Sequence, residues 1–415
     1  MKHQTIKICI LTFCLGLFVT SKTAFAQKKD KNIVGIITDD NNNDKITVAV
    51  YYFPNWGPVY SSEWSIVKAA KPQFKGHQQP KVPMWGYTNE NDPEDMAQKI
   101  DAAADHGVDA FIFDWYYYDE GSELLAGRRE SWEDNKYLYM ALENGFLKAA
   151  NNNKMKFSLM WCNHDLGANV KGAVKPKTFE SMMDYVIETY FKHPSYWKID
   201  GCPYFSIYQF NTFLETYDND YTKAAEAIEL FRSKVKAAGF PDLHLNGVLW
   251  GLRGEVLNKA IKYLKLNSTT SYVWIHHFGL PSFPSTEYSL AAEGYFKGVE
   301  SGGAANGLER PASSIPVPYH INVSMGWDSS PRSNNADDWM TRRDYPFGPV
   351  IVNNTPYLFK KYLAKAKELT MSKPKNERII TINSWNEWGE GSYLEPDMVN
   401  GMGYLEAVKE VFETK

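Results

Sequence analysis

The chain has 415 residues and 44% hydrophobic content, enough for a large core in one domain or two. Its 45 basic and 49 acidic side chains give a formal charge of −4 with no basic face or tail, which excludes nucleic acid and an anionic membrane surface as expected partners. Thirteen Trp and twenty-six Tyr bring the aromatic content to 15%, and clefts that bind sugars use such rings because the apolar faces of pyranoses pack on aromatic planes.

The first residues have the three parts of an export signal: Lys2 and Lys7, an apolar run from Ile8 to Val19, and a small-x-small site at Ala24-Phe25-Ala26. Residues 1–26 are therefore expected to be a cleaved signal peptide, with the mature protein in a periplasm or outside the cell. Loss of Lys2, Lys7 and Lys22 takes the charge from −4 to −7. The apolar run is short for a bilayer span of ~20 residues, and no later segment qualifies, so no membrane span is expected. Cys9 and Cys14 fall in the signal; Cys162 and Cys202 remain, free to pair or not. Residues 27–45 read as a polar, flexible lead-in, and 46–415 as one catalytic domain.

From there short β-rich runs alternate with amphipathic helical stretches. Strands are predicted at 46–52, 108–114, 156–161, 204–208, 244–250, 270–275, 317–325 and 378–385. Helices are predicted from Asp92-Pro93, over 137–150, after a cap at Thr178, and over 221–238, 255–264, 288–300, 355–370 and 403–412. Eight such units predict an α/β fold, a single (β/α)₈ TIM barrel; the competing count is an open sheet of six or seven strands.

A barrel of this kind builds its site at the C-terminal strand ends. Those ends supply the candidate substrate-binding residues Tyr51, Tyr52, Asp114, Trp115, Asn163, His164, Tyr208, Trp250, Trp274, His276, Trp327 and Asn386. The last strand ends in Trp385-Asn386-Glu387-Trp388-Gly389-Glu390-Gly391. Acetal cleavage needs one carboxyl to protonate the leaving oxygen and a second to act on the sugar. Glu387 and Glu390, three apart on one helical turn, are expected to be that pair, with Cβ atoms ~5–6 Å apart. No His/Glu spacing matches a metal signature, and no phosphate-binding, dinucleotide or nucleophile-elbow motif is present, so neither metal nor cofactor is expected. Asp218-Asn219-Asp220 has the look of a metal-holding acidic triplet but sits in a polar turn. Nothing in the sequence specifies an oligomeric state.

The terminal motif, continued by Tyr393-Leu394-Glu395-Pro396-Asp397, resembles that of WbsX-type proteins, which are similar to the endo-α-mannosidases of glycoside hydrolase family 99. Tyr51-Tyr52-Phe53-Pro54, Gly107 through Trp115, His193 through Trp197 and Pro203 to Tyr208 extend the likeness over most of the chain. The resemblance implies a metal-independent retaining glycosidase acting on a polysaccharide or glycan. By position, Glu387 would be a base on the sugar's 2-hydroxyl, giving a 1,2-anhydro intermediate, and Glu390 the general acid/base. Two positions depart from the pattern: Gly389 stands where the mannosidases have histidine, and His164 where the wider family has glutamate. Two other functions fit parts of the sequence. A glycosyltransferase would need activated sugars that an exported protein does not meet, and a sugar-binding protein would not need paired carboxyls.

Overall fold

The computed structural model describes residues 45–58, 62–126 and 129–413. The expected signal peptide, and the lead-in up to residue 44, lie outside the described residues.

Eight parallel strands close on themselves. They are β1 (Thr47–Tyr52), β2 (Ala110–Tyr117), β3 (Lys156–Trp161), β4 (Cys202–Ile207), β5 (His244–Val248), β6 (Ser268–Thr270), β7 (Tyr319–Ser324) and β8 (Ile379–Asn383). Each pairs in parallel with the next, and β8 returns to β1 through Thr47 opposite Ile379. The chain is thus a (β/α)₈ barrel, as the alternation of runs predicts. Around it run α1 (Ser62–Ala69), α2 (Pro93–Ala104), α3 (Pro176–Val186), α4 (Tyr221–Ala237), α5 (Gly254–Leu264), α6 (Tyr288–Ser301), α7 (Pro356–Met371) and α8 (Gly403–Phe412). None of the described helices is long and apolar enough to cross a membrane.

Local chemistry explains the helix starts. Asp92 accepts a bond from Glu94 N with Pro93 in the first turn, Asp220 caps α4, and Thr355 caps α7 ahead of Pro356. Thr178 does not cap α3. That helix begins two residues earlier, at Pro176, and its start is held from outside: Asp119 Oδ1 accepts from Lys175 N at 3.0 Å and from the Thr178 hydroxyl at 2.5 Å. The predicted helix over 137–150 is instead a wide turn at Ala141–Gly145 followed by a tight one at Phe146–Lys148. Its first residues are taken by pairing with β2, Tyr137 lying opposite Tyr116. Gly145 lies against the chain at Glu90, whose carbonyl oxygen a Cβ would meet at 2.0 Å.

From β4 round to β8 the inward side chains form a polar chain. Ser206 donates to Asn246, Asn246 to Ser268, and the Thr270 and Thr381 hydroxyls meet at 3.1 Å, with Asn322 donating to Thr381. An unpaired buried polar group costs ~1–3 kcal/mol, which is why these groups are found bonded to one another. The apolar core lies between strands and helices, where Phe111, Phe113 and Phe146 pack edge to face. Cys162 and Cys202 are free, and they sit at opposite ends of neighbouring strands, Cys162 just past the end of β3 and Cys202 at the start of β4.

Candidate active site

The C-terminal mouth of the barrel holds a cleft of about 540 Å³. Glu387 and Glu390 lie in its floor. The chain leaves β8, makes a two-residue strand at Asn386–Glu387, turns once through Trp388–Glu390, and returns at Ser392–Tyr393. The turn is tighter than the predicted α-helical one and ends at Gly391 in the left-handed region, φ +64°. A Cβ at Gly391 would strike Asp328 Cβ at 2.6 Å, so this position needs glycine twice over.

The hairpin is anchored from behind. Asn386 accepts from Phe53 N at 2.8 Å and donates to Phe53 O at 2.9 Å and to Glu90 at 2.7 Å. Glu90 and Glu395 both pair with the buried Lys99, and Glu395 also accepts from Trp388 Nε1 at 2.6 Å. The acids are thus placed by a side-chain scaffold as well as by the sheet.

In front, one cation serves three carboxyls. Arg332, from the loop after β7, donates through Nη1 to both oxygens of Glu63 at 2.9 Å, and lies 3.5 Å from Glu387 Oε2 and 3.6 Å from Glu390 Oε1. Gly389 gives it room: a Cβ there would meet the guanidinium at 3.0 Å. The departure from histidine at this position therefore coincides with a cation occupying the space. Tyr345, from the same loop, donates to Glu390 Oε1 at 2.8 Å, and Tyr272 lies 3.1 Å from Glu387 Oε1 and 2.9 Å from Asp114 Oδ2. Burial pushes Glu387 well above the usual carboxylate range and the charge of Glu390 adds to this, while Arg332 pulls down. Glu390 is also raised by burial, against the pull of Arg332 and of the Tyr345 hydrogen bond. Two neighbouring acids raise one another's proton affinity, so this pair resists carrying two charges at once.

Of the predicted lining residues, Asp114, His164, Tyr208, Trp250, His276 and Trp327 face the cleft. His164 and His276 are pushed down by burial, and each has a buried Nδ1 without a partner among the described residues. Neutral imidazoles with free nitrogens suit sugar hydroxyls.

Six predicted lining residues are not in the cleft, for reasons of strand alternation or backbone support. Tyr52, Trp115 and Trp274 point outward from the barrel: Tyr52 OH contacts Met96, Trp115 Nε1 bonds Tyr190 OH, and Trp274 stacks on Tyr295 between helices. Tyr51 faces inward but below the cleft, its hydroxyl bonded to Ser271 O. Asn163 clamps the backbone of Gln209 with two bonds of 2.7 and 2.9 Å, and Asn386 clamps Phe53. Strand β6 also ends at Thr270 rather than 275, because Trp274 N is captured by Ser324 Oγ and the chain turns. His277 is buried against Ala305 O and is not part of the cleft. Asp220 is used as a helix cap and Asp218 pairs with Lys223, so the acidic triplet is engaged locally.

Sequence reasoning missed Glu63, Tyr116, Tyr272, Arg332 and Tyr345, all of which line the cleft. Tyr116 and Tyr272 were within reach, since each lies two residues beyond an inward position, Asp114 and Thr270. Glu63, Arg332 and Tyr345 come from a short helix and a long loop, where no periodicity marks the inward side.

Residues 54–408 match the family described as Glycosyltransferase WbsX. A curated relative, the uncharacterized protein WxcX of Xanthomonas campestris pv. campestris (strain B100), is 21% identical over 388 residues, covering 88% of this chain and 49% of its own length. The chain thus spans about half the length of the curated relatives it matches. Among solved structures, the GH99 endo-alpha-mannosidase from Bacteroides thetaiotaomicron is 17% identical with a TM-score of 0.52, covering 88% of this chain and 95% of that one. A protein described as glycoside hydrolase-like is 14% identical with a TM-score of 0.55, covering 90% and 95%. At such identities the likeness establishes the shared barrel.

Proposed function

The chain belongs to the WbsX family, and from that premise we propose that it is an exported glycoside hydrolase that cleaves a polysaccharide or glycan with retention of configuration. The observation that carries this reading is the buried Glu387 and the part-buried Glu390, both beside Arg332, in the floor of a cleft lined by Trp250, Trp327 and Tyr208.

Glu390 begins protonated and gives its proton to the glycosidic oxygen as the bond to the anomeric carbon breaks. Glu387 begins charged and takes the proton of the sugar's 2-hydroxyl, whose oxygen attacks the anomeric carbon to form a 1,2-anhydro sugar. Glu390, now a carboxylate, draws a proton from water. The water oxygen opens the three-membered ring at the anomeric carbon, and Glu387 returns its proton to the 2-oxygen. Two inversions give net retention. NMR of the first product from a panel of glycans is expected to show the anomeric form of the substrate; the opposite anomer would refute the retaining mechanism.

Tyr345 tunes the acid in this scheme. Its hydrogen bond stabilises the charged form of Glu390, so Tyr345→Phe raises the proton affinity of the acid. A general acid is lost above its pKa, so the alkaline limb of the rate profile should move to higher pH by less than about one unit, the size of one hydrogen bond. A limb that stays put or moves down would contradict Glu390 as the acid.

The family's description as a glycosyltransferase favours a second reading, transfer of a sugar in polysaccharide assembly. Mass spectrometry after incubation with glycans alone, or with nucleotide sugars and an acceptor, separates the two: shortened glycans support hydrolysis, and extended ones transfer. Export forms part of the proposal, and the secreted protein should begin at Gln27.

A further inference from the structure

Tyr272 follows β6 on the inward side, and its hydroxyl oxygen stands between two carboxyls, 2.9 Å from Asp114 Oδ2 and 3.1 Å from Glu387 Oε1. A phenol has one hydrogen to donate. It can satisfy one of these contacts; the other would set oxygen lone pairs against each other unless a carboxyl supplies the second hydrogen. The surroundings decide which acid does so. Each acid has one oxygen without a hydrogen bond, but Glu387 has Arg332 Nη2 at 3.5 Å, whereas Asp114 is 3% exposed and touches no cation among the described residues.

Resting on the hydrolase reading above, we propose that Asp114 is a positioning residue held as a neutral acid, which donates its hydrogen to Tyr272 so that the phenol donates to Glu387. Oε1 of Glu387 is then occupied, and Oε2, buried 3.5 Å from Arg332 Nη2 and without a hydrogen bond of its own, keeps the spare acceptor capacity. The field around the three groups agrees with this arrangement. Glu63, Glu390 and Arg332 are the charged neighbours, from α1, the β8 hairpin and the loop after β7; Tyr116, Cys162, His164, Tyr208, His276 and Tyr345 are the other titratable groups facing them. With three acids already sharing one cation, a charged Asp114 would have nothing to balance it. Burial pushes Asp114 well above the usual carboxylate range against the pull of the Tyr272 bond. A neutral Asp114 lets Glu387 remain the charged partner while Glu390 keeps the catalytic proton.

Infrared difference spectra of the full chain at pH 7 test this without any substrate. A carbonyl stretch from a protonated carboxyl should disappear in Asp114→Asn and persist in Glu387→Gln. In Tyr272→Phe it should remain but shift, because its hydrogen-bond acceptor is gone. A band lost in Glu387→Gln instead, or no change in either Asp114→Asn or Tyr272→Phe, overturns the proposal. Rates give a second arm: asparagine is the neutral shape-mimic of protonated aspartate, so Asp114→Asn should lose less kcat/KM than Asp114→Ala and leave the pH limbs unmoved. Asp114→Ala should lose about 10- to 100-fold, as for a hydrogen bond removed from a charged site. Equal losses in the two variants overturn it. If the native protein cleaves no glycan, the hydrolase reading fails while the infrared result still reports the proton on Asp114.

Discussion

Glu390→Gln is expected to lower glycan turnover on the order of 10³-fold while leaving glycan affinity nearly unchanged, because a positioned general acid contributes ~10²–10⁴-fold to rate and little to ground-state binding. Glutamine keeps the size of the side chain and can still accept the Tyr345 hydrogen bond, so the loss isolates the proton. A glycoside with a highly acidic leaving alcohol should recover much of the first step, since that alcohol departs without being protonated. Glu387→Gln should lose comparably but without that recovery, because the base is needed whatever the leaving group. The measurement is kcat for both variants on natural and activated glycosides, with affinity by calorimetry. Undiminished turnover in Glu390→Gln would end the assignment.

Arg332→Met is the second large effect. The substitution leaves Glu63, Glu387 and Glu390 around a cation-free centre, and breaking a buried pair costs ~3–5 kcal/mol. The lower end, about 3 kcal/mol, applies here because the Arg332 side chain keeps 18% exposure. The pH dependence follows from the direction of the shifts. Glu387 and Glu390 bind protons more tightly folded than unfolded, so their contribution to stability is complete below the unfolded value of ~4.3 and is lost as pH rises through the folded values. Without Arg332 those folded values climb further. The gap in melting temperature between native protein and variant should therefore be widest near pH 7 and shrink on acidification toward pH 5. A gap that does not change with pH would show that Arg332 acts by packing alone.

Both predictions turn on residues of very different legibility. Glu387 and Glu390 stand out in sequence because two acids three apart, flanked by Trp and Gly at the end of a β-rich run, are poorly explained as surface residues. The strands were legible as short β-rich runs between helical stretches; within them inward and outward residues alternate with period two, as in Asp114 inward and Trp115 outward. The same alternation was overlooked when aromatic residues were chosen for the cleft. Trp115 is large but faces out, whereas Tyr116, one position on, faces inward; Trp274 shares the parity of the inward Tyr272 but lies in the turn after β6, which carries it outward. Asn163 and Asn386 misled for another reason, since a buried amide at a strand end serves backbone groups as well as it would serve a sugar. Arg332 could not be found from its neighbours in sequence, because its role arises only when a loop of irregular backbone crosses the mouth of the barrel.

The chain of serine, threonine and asparagine across β4 to β8 has one further consequence. Aliphatic packing is indifferent to direction, so a strand could slide slightly and repack, but donors and acceptors match only at one stagger. Ser206, Asn246 and Ser268 link β4, β5 and β6, and Thr270, Asn322 and Thr381 carry the linkage on from β6 to β7 and β8. Sliding any of these strands by one residue would turn its links outward and strand their partners. The heights at which Tyr272 and Glu387 leave their strands are thereby keyed to each other from beneath, so the chemistry at the mouth inherits its alignment from a lattice at the centre.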